Sequence, residues 1–215
     1  MDFVGFPVVP NEHQIDVFGR DDRIGKLVPR VVIILYMSKL TRKLVKLLKR
    51  SLIKGDFVLT SGKVSNYYLN GRNVTLHPEG AFLSSHLFFE VIKKNKITAV
   101  GGPTLGADPL VGAIAYIAYA KKYRLKTFIV RKAPKSHADK KQIEGPKLNK
   151  KDIVLIIDDT ATTGKSLIDS AKILRNLGLR VAKALVLVDR EEGARENLNK
   201  IGIELKSIFT LRDLL

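Results

Sequence analysis

Between residues 154 and 166 the chain reads Val154-Leu155-Ile156-Ile157-Asp158-Asp159-Thr160-Ala161-Thr162-Thr163-Gly164-Lys165-Ser166. Four β-favouring apolar residues in succession predict a strand buried on both faces, as in a parallel sheet of an α/β fold. The run ends in two acids. Hydroxyl residues, a glycine and the start of a helix follow. Ligands of α/β folds sit outside the carboxyl ends of such strands. Backbone N–H groups, hydroxyls and the positive end of a helix together make a phosphate cradle there. Two carboxylates beside a cradle do not suit bare phosphate. They suit the hydroxyls of a sugar or a magnesium ion, so the expected ligand is a phosphorylated ribose.

A Walker A loop is the nearest confusable motif, and it needs Gly-x-x-x-x-Gly-Lys-Ser/Thr. Gly164-Lys165-Ser166 fits its end, but Asp159 occupies the place of the first glycine. An acid there would repel a phosphate and block close approach of the backbone. An ordinary βα turn, with Thr162 or Thr163 capping the helix, accounts for the hydroxyls and leaves the double acid without a reason.

The surrounding chain alternates strand and helix. Strands are expected at residues 97–100, 127–130, 154–157 and 181–188, with helices at 110–119 and from about Leu167 to Gly178. Such βαβ alternation implies a parallel sheet with right-handed crossovers. Each strand ends in a polar or glycine-rich element. These are Gly101-Gly102-Pro103-Thr104-Leu105-Gly106, then Arg131-Lys132, then Asp158-Asp159, then Asp189-Arg190. Parallel strands bring all four to one edge of the sheet. Residues 131–151 show no convincing periodicity, and a loop of that length in a compact domain is expected to be a lid or disordered.

With 215 residues, the chain is expected to hold one domain with a large core. Residues 1–36 read as an extension of separate status, with residues 37–215 as the domain, and Met37 as an alternative natural start. An amphipathic helix follows Met37. Leu40, Leu44, Leu47 and Leu48 form its stripe, Arg42, Lys43, Lys46, Lys49 and Arg50 cover other faces, and Gly55 is expected to stop it. The chain has no cysteine, which fits a cytoplasmic protein, and no apolar stretch approaches the ~20 residues that span a bilayer. Thirty-eight Lys and Arg against 21 acids give a net charge of +17. That charge suits polyanionic small substrates, nucleic acid or an anionic surface. The cluster at residues 132–141 is assigned to function.

The 154–166 block resembles the phosphoribosyl-pyrophosphate (PRPP) motif of type I phosphoribosyltransferases. Three further segments narrow the resemblance to the orotate phosphoribosyltransferase family. Phe57-Val58-Leu59-Thr60-Ser61-Gly62-Lys63-Val64-Ser65-Asn66-Tyr67-Tyr68 is similar to that family's N-terminal substrate segment. Arg131-Lys132-Ala133-Pro134-Lys135-Ser136-His137 is similar to its mobile catalytic loop, and Asp189-Arg190-Glu191-Glu192-Gly193 to its base-recognition segment. The likeness runs from Phe57 to Gly193 in the family's order.

The resemblance implies the type I phosphoribosyltransferase fold: a central, mostly parallel sheet flanked by helices, a small N-terminal hood and a long mobile loop. It implies transfer of 5-phosphoribosyl from PRPP to orotate, in pyrimidine biosynthesis, with Mg²⁺ carried by PRPP rather than by a firm set of protein ligands. It implies a homodimer with shared active sites, and gives no reason to expect nucleic acid or membrane as a partner. By the same carry-over, Lys135, Asp158 and Asp159 are catalytic. PRPP is held by Arg131, Lys132, Lys135, His137, Asp158, Asp159, Thr160, Ala161, Thr162, Thr163, Gly164, Lys165 and Ser166. Thr162 and Arg190 hold orotate, although Arg190 is also within reach of an ion pair with Glu191 or Glu192. Lys165 has two candidate roles, by side chain or by backbone, and the backbone is favoured. Thr60 and Gly106 stand where family members often carry lysines, and Asn66 where proline is common. Two alternatives are a purine phosphoribosyltransferase, which lacks the Ser61 and Asp189-Arg190 segments, and a PRPP-sensing regulator on the same fold. The regulator would need a DNA-reading module, and the N-terminal stretch offers no clear one.

Overall fold

A computed structural model describes residues 30–58, 64–133 and 142–215 of the chain. Helix α1 (Arg30–Arg50) leads into a two-stranded antiparallel sheet of β1 (Leu52–Val58) and β2 (Val64–Leu69). Then come α2 (Arg72–Thr75), α3 (Pro78–Lys94), β3 (Ala99–Pro103), α4 (Asp108–Ala120), β4 (Lys126–Val130) and β5 (Ile143–Glu144). The chain continues with β6 (Val154–Ala161), α5 (Lys165–Asn176), β7 (Val181–Asp189), α6 (Ala194–Asn199), β8 (Glu204–Thr210) and a closing 3-10 turn. Leu40–Leu215 form one compact unit.

The six-stranded sheet has the order β5-β4-β3-β6-β7-β8. All neighbours pair in parallel except β5, which runs antiparallel to β4. This is the mostly parallel α/β sheet that the alternating pattern implies. Strand β6 sits inside it with residues 154–159 buried in succession, as an uninterrupted apolar run requires. Ile156 and Ile157 are fully buried, and burial of each contributes about 1.5–3 kcal/mol over exposure. That stabilisation offsets the cost of two acids at the end of the same strand. Phe128, Ile156, Leu167, Leu174, Val186, Leu198 and Leu205 belong to one buried cluster that joins β4, β6, α5, β7, α6 and β8.

Several boundaries differ from the sequence reading. Helix α1 begins at Arg30, so the apolar run 31–36 belongs to the helix that passes through Met37. Leu40, Leu44 and Leu48 are buried and Leu47 half-buried, while the expected basic residues are exposed. The helix ends at Arg50, where Lys49 and Arg50 complement its dipole. Gly55 does not stop it; it lies in β1, within a bulge between Lys54 and Phe57. Strand β6 continues through Asp158 to Ala161, because β7 goes on pairing with it as far as Asp189. The 131–151 stretch is not one structureless loop. Arg131 donates its N–H to the Gln142 carbonyl (2.8 Å) and β5 pairs with β4, which brings residues 129–131 against residues 142–144. Elements α2, α3, β5, α6 and β8 have no counterpart in the sequence reading. No helix among the described residues is long and apolar enough to cross a membrane.

Candidate active site

The parallel register places the ends of β3, β4, β6 and β7 on one sheet edge, and backbone hydrogen bonds tie neighbours there. The Thr104 N–H donates to Val130 O at 3.1 Å, and the Arg190 N–H to Ala161 O at 2.9 Å. The four polar segments read from sequence are therefore brought together.

Asp158 and Asp159 are 7% exposed each. The Asp159 N–H donates to Asp158 Oδ1 (2.9 Å). Thr160 donates to Asp159 Oδ1 through its N–H (2.6 Å) and its hydroxyl (3.2 Å). Burial pushes the Asp158 carboxyl well above the usual carboxylate range, the Asp159 charge adds to this, and Asp108 adds less. Burial raises Asp159 as well, while the Thr160 donors and the Arg72 charge pull it back. Two desolvated acids in contact repel one another when both are ionised. Such a pair gains from hydroxyl donors or a cation.

The backbone closes on this pair from two sides. A Cβ added at Gly106 would collide with the Asp158 carboxylate and stand 2.7 Å from Asp159 Oδ1. A side chain at this position would displace the carboxylates from where they stand. On the other side, a Cβ at Gly71 would lie 2.8 Å from Asp159 Oδ2. Next to it, Asn70 Oδ1 accepts from both the N–H and Nε of Arg72 at 3.2 Å.

After β6, residues 162–164 turn into α5. The residue preceding that helix is Gly164, at φ +76°, which offers the helix start no side-chain cap. The first-turn amides of α5 therefore take no side-chain cap from the residue that precedes the helix. The turn is braced from α6, where Asn197 Nδ2 donates to Thr163 O (3.1 Å). Lys165 Nζ lies 2.8 Å from Asp169 Oδ2 on an exposed helix face, which leaves its backbone as the part nearest the turn.

Beyond β4, Thr104, Ile129, Arg131, Lys132, Ala133 and Glu144 line an open pocket of about 500 Å³. Arg131 Nη1 is 3.1 Å from Glu144 Oε1. Beyond β7, Arg190 is buried at 7% exposure. Its Nε is 2.9 Å from Glu192 Oε1, and Nη2 donates to Tyr67 O at 3.4 Å. The base-recognition segment and β2 thus meet at one guanidinium. Thr60, Ser61, Lys135 and His137 lie outside the described residues.

Sequence reasoning missed Asn70, Gly71, Arg72, Asp108 and Asn197. The Asn-Gly-Arg turn straight after β2 was the available signal for the first three. Asp108 accepts a hydrogen bond from the Thr104 hydroxyl (2.8 Å), a contact within one βα loop. Asn197 reaches a turn 34 residues earlier, and nothing local announces it.

A carboxylate pair facing a glycine loop, beside an uncapped helix start on a parallel sheet, is the arrangement of enzymes that handle phosphorylated ribose. Residues 71–208 match the phosphoribosyl transferase domain, and the chain belongs to the phosphoribosyltransferase family. Within it, the chain belongs to the orotate phosphoribosyltransferases. It is 45% identical over 177 residues to orotate phosphoribosyltransferase of Aquifex aeolicus, covering 80% of this chain and 96% of that protein. To the enzyme of that name from a Nostoc species it is 39% identical, covering 83% and 86%. Among solved structures it resembles Mycobacterium tuberculosis orotate phosphoribosyltransferase in complex with PRPP. That match has a TM-score of 0.67 at 31% identity and covers 81% of this chain and 98% of the other.

Proposed function

We propose that this chain transfers the 5-phosphoribosyl group of PRPP to orotate, giving orotidine 5′-monophosphate and pyrophosphate in pyrimidine biosynthesis. The observation that carries this reading is the buried Asp158–Asp159 pair, enclosed by Gly71 and Gly106 and flanked by the uncapped start of α5. In the reaction, N1 of orotate gives up its proton to solvent or to the departing pyrophosphate and bonds to C1 of the ribose. The bond from C1 to the diphosphate oxygen breaks, and pyrophosphate leaves with the electron pair.

Asp158 and Asp159 accept hydrogen bonds from the ribose hydroxyls and steady the positive charge that develops on the sugar. The amides and hydroxyls of Thr160, Ala161, Thr162, Thr163, Gly164, Lys165 and Ser166 hold the 5′-phosphate. The loop at Thr104–Leu105–Gly106 lets backbone approach the diphosphate. Arg131, Lys132, Lys135 and His137 supply positive charge to the leaving group, and closure of their loop excludes water from the reacting centre. Arg190 engages the carboxylate of orotate in a forked contact, with Thr162 beside it.

The residues present suit Mg²⁺ delivered with PRPP. Among the described residues no group of three or more His, Cys, Asp or Glu converges on a metal site. Asp158 and Asp159 would touch a diphosphate-held ion directly or through its waters, as Mg²⁺ bound mainly by phosphates prefers. When bound, the ion neutralises charge on the departing diphosphate.

A homodimer with shared sites is part of the proposal, carried over from the family resemblance. Exposed Phe82 on α3 and Tyr116 and Tyr119 on α4 offer it apolar surface to bury. So is a cytoplasmic location, since a multiply charged sugar diphosphate does not cross a bilayer unaided.

The test is a spectrophotometric assay of orotate consumption with PRPP and Mg²⁺. Turnover with orotate, and none with hypoxanthine or adenine, is expected. Turnover with a purine base instead would overturn the assignment.

A further inference from the structure

Arg190 is buried at 7% exposure, and a buried guanidinium is tolerated only where counter-charge and hydrogen-bond acceptors are well matched. An ion pair and a long hydrogen bond meet it on different nitrogens. Glu192 Oε1 is 2.9 Å from Nε, in a pair whose side chains are 6% and 18% exposed, and Tyr67 O accepts from Nη2 at 3.4 Å. The Arg190 backbone is separately tied to Ala161 at the end of β6. The Nε contact is an ion pair and not a hydrogen bond, so Glu192 holds the group by charge, and a forked contact to a carboxylate depends on where the group is held.

Glu192 itself sits at a cost. Its Oε2 is buried without a hydrogen-bond partner, an arrangement that native structures seldom keep without a reason. The neighbouring acid, Glu191, is engaged elsewhere: its Oε2 is 3.1 Å from Arg212 Nε, and its N–H donates to Asp189 Oδ1. Of the two adjacent glutamates, Glu192 is therefore the one that serves the guanidinium.

We propose that Glu192 is a positioning residue for the acceptor base, holding the Arg190 guanidinium where it meets the carboxylate of orotate. The inference rests on the reading that Arg190 binds orotate. It assigns to Glu192 a role in base affinity that leaves the sugar diphosphate untouched.

Steady-state kinetics of the full chain, with each substrate varied in turn, test it in Glu192→Ala, Glu192→Gln and Arg190→Ala. Misplacing a binding group by about 1 Å costs on the order of a hundredfold. Glu192→Ala should accordingly raise KM for orotate by about ten- to a hundredfold, with KM for PRPP changing less than about twofold. Glu192→Gln keeps an oxygen beside the guanidinium and should give a smaller rise; it also serves if the alanine variant fails to fold. An unchanged or lowered KM for orotate overturns the proposal, and so does an equal shift in both KM values, which marks a general structural role. Arg190→Ala separates the two layers. If it leaves KM for orotate intact, the reading of Arg190 fails. If it raises that KM while both Glu192 variants do not, only the positioning role falls.

Discussion

Asp158 concentrates the chemistry of the site in one side chain. In an unfolded chain an aspartate ionises near pH ~3.9. In the fold, burial and the Asp159 charge raise that value well above, so the folded state holds the proton more tightly. The associated stability is fully present below the unfolded pKa and is lost as pH rises through the folded one. Asp158→Asn cannot ionise. Its thermal midpoint should therefore exceed the parent's at about pH 7–8, on the order of 5 °C, and the gain should fade towards pH ~4. Thermal unfolding at several pH values checks this, and a gain independent of pH would contradict it. Turnover of the same variant should fall about a hundredfold or more. Increased stability with lost turnover is the pattern expected where a site holds charges that the fold alone does not favour.

At the level of elements, the site depends on pieces distant in sequence. Helix α6 reaches the phosphate turn through Asn197, whose Nδ2 donates to Thr163 O. Asn197→Ala should raise KM for PRPP several-fold, on the order of one lost hydrogen bond of about 1 kcal/mol, with KM for orotate little changed. Lys135, which follows β4 in sequence, is expected to act on the leaving diphosphate. Lys135→Ala should lower kcat at least about tenfold, and an unchanged kcat would remove the loop from catalysis. The segments that carry the chemistry were legible because each is contiguous: an apolar run ended by two acids, or a cationic stretch after a strand. Their supports were not. Strand β5 is two residues long and gives no periodicity. In β8, Glu204 and Lys206 alternate with apolar residues in a segment that no motif marks. The start of α1 was obscured because Val31, Val32, Ile33 and Ile34 favour strands locally, while the helix incorporates them. Contacts such as Asn197 to Thr163 arise only once crossovers stack α6 against the end of β6.

For the molecule as a whole, the net charge of +17 creates a field that attracts PRPP and orotate, both anions. Salt screens that field over a Debye length of about 10 Å at 0.1 M. KM for PRPP should rise several-fold between about 50 and 300 mM KCl while kcat stays within about twofold. A salt-insensitive KM would leave the charge without a part in substrate capture. The same molecule also has two sheet margins, β5 and β8. A parallel sheet of six strands with bare margins would be a template on which other copies stack by hydrogen bonding. One margin is a two-residue antiparallel strand, too short to recruit a neighbour in register. The other carries an exposed Glu204–Lys206 pair 3.2 Å apart, which an incoming apolar strand would have to desolvate. The shortness of β5 therefore guards the fold against aggregation, and lengthening it with alternating apolar residues should bring on precipitation at concentrations the parent chain withstands.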